Sequence, residues 1–338
     1  MVRKRSPVQF WLEAPKEVIM EDNFNELYKI LYNENLNELE IKRKKTKRFY
    51  IIVIMSILVI MSFAMIKPFL AMVILIALII ICTLAIVMGI KKGIIKVVDE
   101  HEVQTNENDG QDSYFQTFKI KIIKPIIETL FEGARYYSRS GITREEYNKA
   151  GYKDKISRYT SEDLIELPIK TSKNVINLKI SEVHTEKIER DSDGHIEYVT
   201  EFRGLAGYFI IPTSCGGKMY IRSNGSVSNK NENKVLMDMS EFEKLFDVES
   251  EDKIFAMRVL TSDVMTSIIN LYYKCKYEFE ISIIEDVVYI RIKTGKMFEP
   301  HVFKESLEYE TLEKYYVIIK KVIDIVEQLN KYVLELEN

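Results

Sequence analysis

Two apolar runs dominate the pattern of this chain. Phe49 to Ile66 carries no charge, Lys67-Pro68 interrupts it, and Phe69 to Ile90 is apolar again. At about 1.5 Å per residue these runs predict helices of roughly 27 and 33 Å, each able to cross a hydrocarbon core of about 30 Å. A core helix of a soluble protein keeps a polar face over such a length. Pro68 lacks the amide that a continuous helix needs. The pattern therefore predicts a transmembrane α-helical hairpin over residues 49–90. Ahead of it, Phe24, Leu27, Leu31, Leu36 and Leu39 recur at helical spacing after Asp22, a good N-cap residue. The phase slips at Asn33-Glu34-Asn35, which predicts two helical pieces, the second running into the first span.

Past Ile90 the second helix is expected to continue to about Val103, and the polar stretch Gln104 to Ser113 reads as a linker. Phe118 to Phe131 predicts a helix broken at Pro125. Thr143-Arg-Glu-Glu146 has the form of a capping box. Ser161-Glu-Asp-Leu164 predicts a turn before Pro168. The period then changes to alternation. Ile176, Leu178 and Ile180 lead through an Asp193-Gly194 turn into a strand from Ile196 to Phe202. Leu205 to Ile211 is expected to pair with Met219 to Ile221, and Val235 to Met237 and Ile254 to Leu260 read as further strands. Between them lie a loop from Asn224 to Asn233 and a helical turn from Ser240 to Phe246. Ser262 is expected to cap a helix ending near Cys275. Phe279 to Ile284 and Val287 to Ile292 form a hairpin across Glu285-Asp286. Leu312, Tyr316, Ile319, Ile323, Val326, Leu329 and Val333 trace one face of a long terminal helix. Strands at hairpin spacing with flanking helices predict an α+β domain on an antiparallel sheet. The organisation is then a partly helical arm at 1–48, the hairpin at 49–90, a helix extension and linker at 91–113, and the α+β domain at 114–338.

Charge adds an orientation. Lys42, Arg43, Lys44, Lys45, Lys47 and Arg48 precede the first span, Lys91, Lys92 and Lys96 follow the second, and only Lys67 lies between. Cytoplasmic flanks carry the excess of Lys and Arg, so both termini are expected in the cytoplasm of a multi-pass cell-membrane protein. The basic run also has the charge to meet anionic lipid heads. Residues 1–90 hold 12 basic and 8 acidic groups and residues 91–338 hold 36 and 43. The second part is thus net acidic, which argues against a nucleic-acid surface. Arg3, Lys4 and Arg5 are not followed at once by a long apolar core, which argues against a cleaved signal peptide. Cys82, Cys215 and Cys275 are scattered in the way of reduced thiols.

Candidate chemistry is sparse. His101, His184, His195 and His301 have no Cys or His partner at metal-ligand spacing. Turn chemistry accounts for Asp191-Ser192-Asp193-Gly194-His195. Gly216-Gly217-Lys218 lacks the spacing of a phosphate loop. Nothing beside Cys215 would lower its pKa. Asp252 and Arg258 have the types to pair, or to cap nearby elements. No cofactor and no metal are expected.

One stretch carries a resemblance. Glu241-Phe-Glu-Lys-Leu-Phe246-Asp-Val248, Ser250-Glu-Asp252, Ala256, Leu260-Thr261 and Met265 resemble a bacterial family known as domain of unknown function 3137. Phe202-Arg203-Gly204, Phe298-Glu299-Pro300 and Ile325-Val-Glu-Gln-Leu-Asn330 follow the same pattern in the same order. The resemblance spans roughly residues 115–335 and departs at Ala206-Gly207 and Thr213-Ser214. It implies a short arm, a membrane hairpin and a cytoplasmic domain, with no activity and no catalytic residue to carry over. The residues it singles out are Phe202, Gly204, Phe242, Phe246, Asp252, Phe298, Glu299 and Pro300. The expected function is a membrane-anchored cytoplasmic interaction or adaptor module, set in the lipid bilayer and binding protein partners or a second copy of itself. The alternative is a membrane-tethered enzyme, such as a hydrolase, whose site assembles from distant residues. A membrane-perturbing effector is a third reading, disfavoured because the spans lack the polar residues of a pore.

Overall fold

The computed structural model describes residues 16–63, 76–77, 79–81, 83–84, 113–171, 174–190, 195–211, 217–228 and 230–336. Helix α1 runs without a break over Lys16–Phe63. The predicted interruption at Asn33-Glu34-Asn35 does not occur, and the Asn35 side-chain amide donates instead to the Leu31 carbonyl one turn back at 3.1 Å. Helical stretches α2 (Tyr114–Phe118) and α3 (Lys124–Leu130) are joined by a π-helical turn, Lys119–Ile123, so the predicted break at Pro125 is absorbed. Proline cannot donate to the carbonyl four residues back. The wider turn bonds the Lys124 amide to the Lys119 carbonyl just ahead of it.

The structure divides into two compact units, Met1–Pro125 with Glu299–Tyr309, and Ile126–Phe298 with Glu310–Asn338. In the first, three separate stretches of chain meet. Phe24, Leu31 and Leu39 of α1 are buried. Tyr309 stacks edge-on to Phe24 at 5.5 Å, and the Tyr28 hydroxyl donates to the Leu307 carbonyl at 3.1 Å. Arg43 clasps Glu40 at 2.7 Å, while the Ser306 hydroxyl donates to the same carboxylate at 2.6 Å. The Arg43 hydrogen bonds, joined by that of Ser306, hold the Glu40 carboxyl down at about 2.

The second unit is built on a sheet. Among the described residues nine strands form it: β1 (Arg135–Tyr137), β2 (Arg158–Lys170), β3 (Val175–Arg190), β4 (Ile196–Ile210), β5 (Lys218–Ser223), β6 (Lys234–Val235), β7 (Phe246–Ser250), β8 (Phe279–Ile284) and β9 (Val287–Ile292). Their order is β1-β2-β3-β4-β9-β8-β5-β7-β6, and every described pairing is antiparallel. Helices α4 (Arg144–Asn148), α5 (Ser240–Leu245), α6 (Lys253–Val259), α7 (Ser262–Cys275) and α8 (Tyr309–Leu336) complete the fold. The α+β architecture, the antiparallel sheet and the long C-terminal helix are as the sequence predicts.

Several details differ. Ser161 to Leu164 lies within β2 and is not a turn; a bulge falls between Glu162 and Ile165, with Asp163 at φ +62 and fully buried, accepting from the Tyr136 hydroxyl. Leu205 to Ile210 continues β4 and pairs with β9, while β5 pairs with β8 and β7. The predicted strand from Ile254 to Leu260 is instead helix α6, Lys253–Val259, with Leu260 as its C-cap, because Asp252 accepts from the Phe255 amide at 2.9 Å and starts the helix. The cap of α7 is Thr261, one residue before the predicted Ser262. The box at Thr143 and Glu146 forms as expected. The Asp193-Gly194 turn and the linker at 104–112 lie outside the described residues.

Among the described residues no single helix is long and apolar enough to cross a membrane. The described apolar part of α1, residues 49–63, is about 22 Å long, short of a core of about 30 Å. Most of the second predicted span lies outside the described residues. A bent pair, α6 with α7, meets the length and composition of a span at an angle of 73°. Phe255, Val259, Val264, Met265 and Ile268 of that pair are buried, as in core helices.

Candidate functional site

Strand alternation sends unlike residues to the two faces of the sheet. One face presents Phe246, Val248, Met219, Ile221, Phe279, Ile281, Ile283, Val288, Ile290 and Ile292, all buried. The other presents Glu280 and Ser282 on β8, Tyr289 and Arg291 on β9, Tyr220 and Arg222 on β5, and Glu249 on β7. Cross-strand pairing sets Glu280 opposite Arg291 and Tyr220 opposite Glu249. The segment after α4 lies over this polar face, and the Ser282 hydroxyl donates to the Ala150 carbonyl at 2.7 Å.

A charged chain runs through the layer. Arg291 donates through Nη1 to Asp154 Oδ2 at 2.5 Å and to the Tyr147 hydroxyl at 2.8 Å, and through Nη2 to Glu280 Oε1 at 2.9 Å. The Tyr147 hydroxyl donates to the same Asp154 oxygen at 2.8 Å. Arg222 lies 3.7 Å from Glu280 and donates to Glu249 at 2.7 Å. The Arg291 guanidinium also sits over the Tyr152 ring at 4.1 Å and the Phe202 ring at 5.0 Å. Burial opposes the charge on Arg291, but Tyr147, Glu280 and Asp154 outweigh it and raise its pKa. Burial likewise pushes the Tyr147 phenol up. Burial also disfavours the Glu249 carboxylate, yet hydrogen bonds from Asn231 and Arg222 leave its pKa lowered.

Chemically this is a clamp. Arg291 is fixed as a cation and Tyr147 as a neutral donor, and each carboxylate in the chain faces a guanidinium. A general acid or base needs a proton it can exchange near the working pH, and neither Arg291 nor Tyr147 has one. None of Arg291, Asp154, Tyr147, Glu280, Arg222 and Glu249 was singled out from sequence. The available signal was a charge at an alternate position of an otherwise apolar strand, as in Val287-Val-Tyr-Ile-Arg-Ile292 and Phe279-Glu-Ile-Ser-Ile-Ile284.

The residues that the sequence did single out are not brought together. Phe202 is buried with Ile142, Tyr147, Val183 and Ala206 beneath the clamp. Gly204 is required by close approach, since a Cβ there would lie 2.0 Å from the Ile292 carbonyl oxygen. Gly207, at the first departure from the family pattern, has the same constraint against the Lys179 carbonyl, at 2.1 Å. Phe242 and Phe246 do not share a helical turn, because Phe246 opens β7, yet their rings meet at 5.1 Å in the core. Asp252 is a helix cap. Phe298 is fully buried at φ +55 against Tyr315, with ring centroids 5.1 Å apart. Glu299 pairs at 3.2 Å with the fully buried Lys119 of the π-helical turn, and Pro300 is buried. These positions hold the fold.

His184 contacts the Thr200 hydroxyl at 3.0 Å, with its pKa lowered by burial and by Arg203. Among the described residues no group of three or more His, Cys, Asp or Glu is placed to hold a metal ion. Cys215 and Cys82 lie outside the described residues. Cys275 is buried, and burial pushes its thiol up to about 11. In a C82S/C215S variant it should resist a maleimide at neutral pH and react only on denaturation, because the thiolate is the nucleophile. Rapid modification of the native protein would show that its cover opens.

The segment 200–331 matches the model of a family described as Protein of unknown function (DUF3137). Residues 200–331 form a DUF3137 domain. The match begins in β4, ends in α8, and includes every position from Phe202 to Pro300 that the resemblance singled out. It is narrower than the span expected from sequence. No curated protein matches the chain. Among solved structures, the mycobacterial trehalose monomycolate transport factor A, TtfA, is similar at 9% identity over 61% of this chain and 92% of that one, with a TM-score of 0.33. That likeness is too distant to carry an argument about this DUF3137 domain.

Proposed function

We propose that this chain is a membrane-anchored interaction module. The apolar end of α1 and the apolar run after Pro68 enter the bilayer as a hairpin, and the DUF3137 domain is held at the cytoplasmic surface to recruit protein partners. One observation supports the anchor above the others. Ile51, Ile52, Ile54, Met55, Ile57, Leu58, Val59 and Met61 are all exposed. At about 100° per residue these positions cover an arc of about 220° and leave a half-buried strip at Val53, Ser56 and Ile60, so the exposed arc is wider than one packing face would cover. Water penalises that surface at about 25 cal/mol per Å², and lipid removes the penalty. The segments at 91–113 and 114–338 are then linker and cytoplasmic domain.

The adaptor half of the proposal rests on the clamp, whose charged groups are committed to one another. If the anchor is right, the full chain remains in the membrane fraction after carbonate washing. In a C82S/C215S background, the substitution Lys67→Cys then gives a chain that reacts with an impermeant maleimide on intact cells. Release into the carbonate supernatant overturns the anchor. Failure of the K67C thiol to label while the chain stays in the membrane reverses the orientation.

A further inference from the structure

We propose that the first unit carries a collar that selects anionic phospholipid headgroups, an inference that rests on the membrane-anchor reading. The basic run of α1 is split by its contacts. Lys42 is engaged by Glu38 at 3.3 Å and Thr117 at 2.9 Å, and Arg43 by Glu40. Lys44, Lys45 and Arg48 are exposed, and no ion pair engages them among the described residues. Lys44, Arg48, Ile52 and Met55 follow at helical spacing, so the unpaired charges lead directly into the exposed apolar surface.

The folded chain adds what the sequence separates. The segment 299–309 returns to α1 and sets the Phe303 ring 6.4 Å from the Tyr50 ring and 6.0 Å from Lys47 Nζ. Phe303 is 58% exposed despite those contacts. Its neighbour Lys304 is exposed as well and is engaged by no ion pair among the described residues. Two opposing carboxylates are held, Glu299 by Lys119 and Glu40 by Arg43 and Ser306, while Glu308 lies 3.7 Å from His301, a partner that carries charge only when protonated. Glu305 stands exposed in the same segment as the counter-charge with which a lipid head must compete.

Cations beside an apolar girdle, with two aromatic rings at the boundary, match the chemistry of a headgroup layer, where aromatic rings sit at the interface and Lys and Arg meet phosphate. A soluble anion would gain nothing from the exposed Phe303 ring or from the apolar surface that continues past Arg48. The occupant is therefore the anionic lipid surface.

The test uses the full chain with Trp11, its only tryptophan, replaced by Phe, and F303W as the reporter. The protein is reconstituted into phosphatidylcholine vesicles containing either brominated phosphatidylglycerol or brominated phosphatidylcholine at the same mole fraction. Phosphatidylglycerol should quench the F303W indole more strongly than phosphatidylcholine. The excess should shrink in high salt, as the Debye length falls from about 10 Å at 0.1 M to about 3 Å at 1 M. Each exposed cation removed should weaken the selectivity by up to about fivefold, and K44Q/K45Q/R48Q/K304Q should abolish it. All four side chains are exposed, so the variant leaves the core untouched. Equal quenching by the two lipids overturns the collar and leaves the anchor standing, as does quenching by neither while the chain resists carbonate. Selectivity removed by inorganic phosphate at constant ionic strength also overturns it, in favour of a free-anion site. Extraction of the chain by carbonate overturns the anchor and the collar together.

Discussion

Phe246→Ala is expected to lower the stability of the DUF3137 domain by about 3–5 kcal/mol, the range for a buried aromatic truncated without collapse of its site. Phe246 is 1% exposed, and its ring meets Phe242 and Phe279 at 5.1 Å each and Tyr272 at 5.7 Å. These three partners come from α5, β8 and α7, so the cavity left by alanine is walled by three separate elements. Such a wall relaxes poorly, which places the cost toward the upper part of the range. Pulse proteolysis of the full chain in detergent across a urea series measures the shift in midpoint. Phe246→Leu should retain most of the stability, because it keeps much of the volume. A loss under about 0.5 kcal/mol for alanine would mean that this corner of the core is not formed.

Arg291→Ala should cost a similar amount for a different reason. The guanidinium is the common partner of Asp154, Glu280 and the Tyr147 hydroxyl. Its removal leaves carboxylates facing each other under the segment that follows α4. Removing one member of a buried ion pair typically costs about 3–5 kcal/mol, chiefly through the charge left behind. The same logic predicts a rescue. Arg291→Met combined with Asp154→Leu and Glu280→Leu should recover much of the loss, since apolar replacement of a whole buried ionic group is often neutral. If the single variant is destabilised and the triple variant stays equally unstable, the clamp positions the covering segment by its geometry and not by charge balance. If Arg291→Ala leaves stability unchanged, the clamp is not closed in solution.

The two substitutions probe opposite faces of one sheet, and those faces were not equally legible. Alternation in Phe279 to Ile284 and Val287 to Ile292 announced two strands, and the Glu285-Asp286 dipeptide announced their turn. Both are present, with Glu285 at φ +60 where the turn requires it. The apolar face followed from those positions alone. The polar face did not, because the partners of Arg291 come from 137 residues away at Asp154 and 11 away at Glu280. No local spacing encodes that meeting.

Helical capping was legible where both partners are local, as at Thr143 and Glu146. At Asp252 capping was one of the two roles its type offered, but the element that it caps read as a strand, because the short apolar run from Ile254 to Leu260, interrupted by Arg258, has no decisive period. Length and composition together could not arbitrate over so short a run. Pro125 misled for a physical reason as well. A proline costs an α-helix one bond, but one π-type turn ahead of it restores the bonding.

What the sequence by itself determined is the set of local elements and their chemistry: the apolar end of α1, the alternating strands, the amphipathic C-terminal helix and the membership of residues 200–331 in DUF3137. Each follows from periodicity or from a short ordered pattern, which neighbouring residues enforce on one another. Only the tertiary structure decided the strand order β4-β9-β8-β5, the Arg291 clamp, the burial of Lys119 against Glu299, and the return of Phe303 to the basic end of α1. Those depend on contacts whose partners are distant in the chain, where the free energy of packing the whole core selects one arrangement among many that local preferences allow.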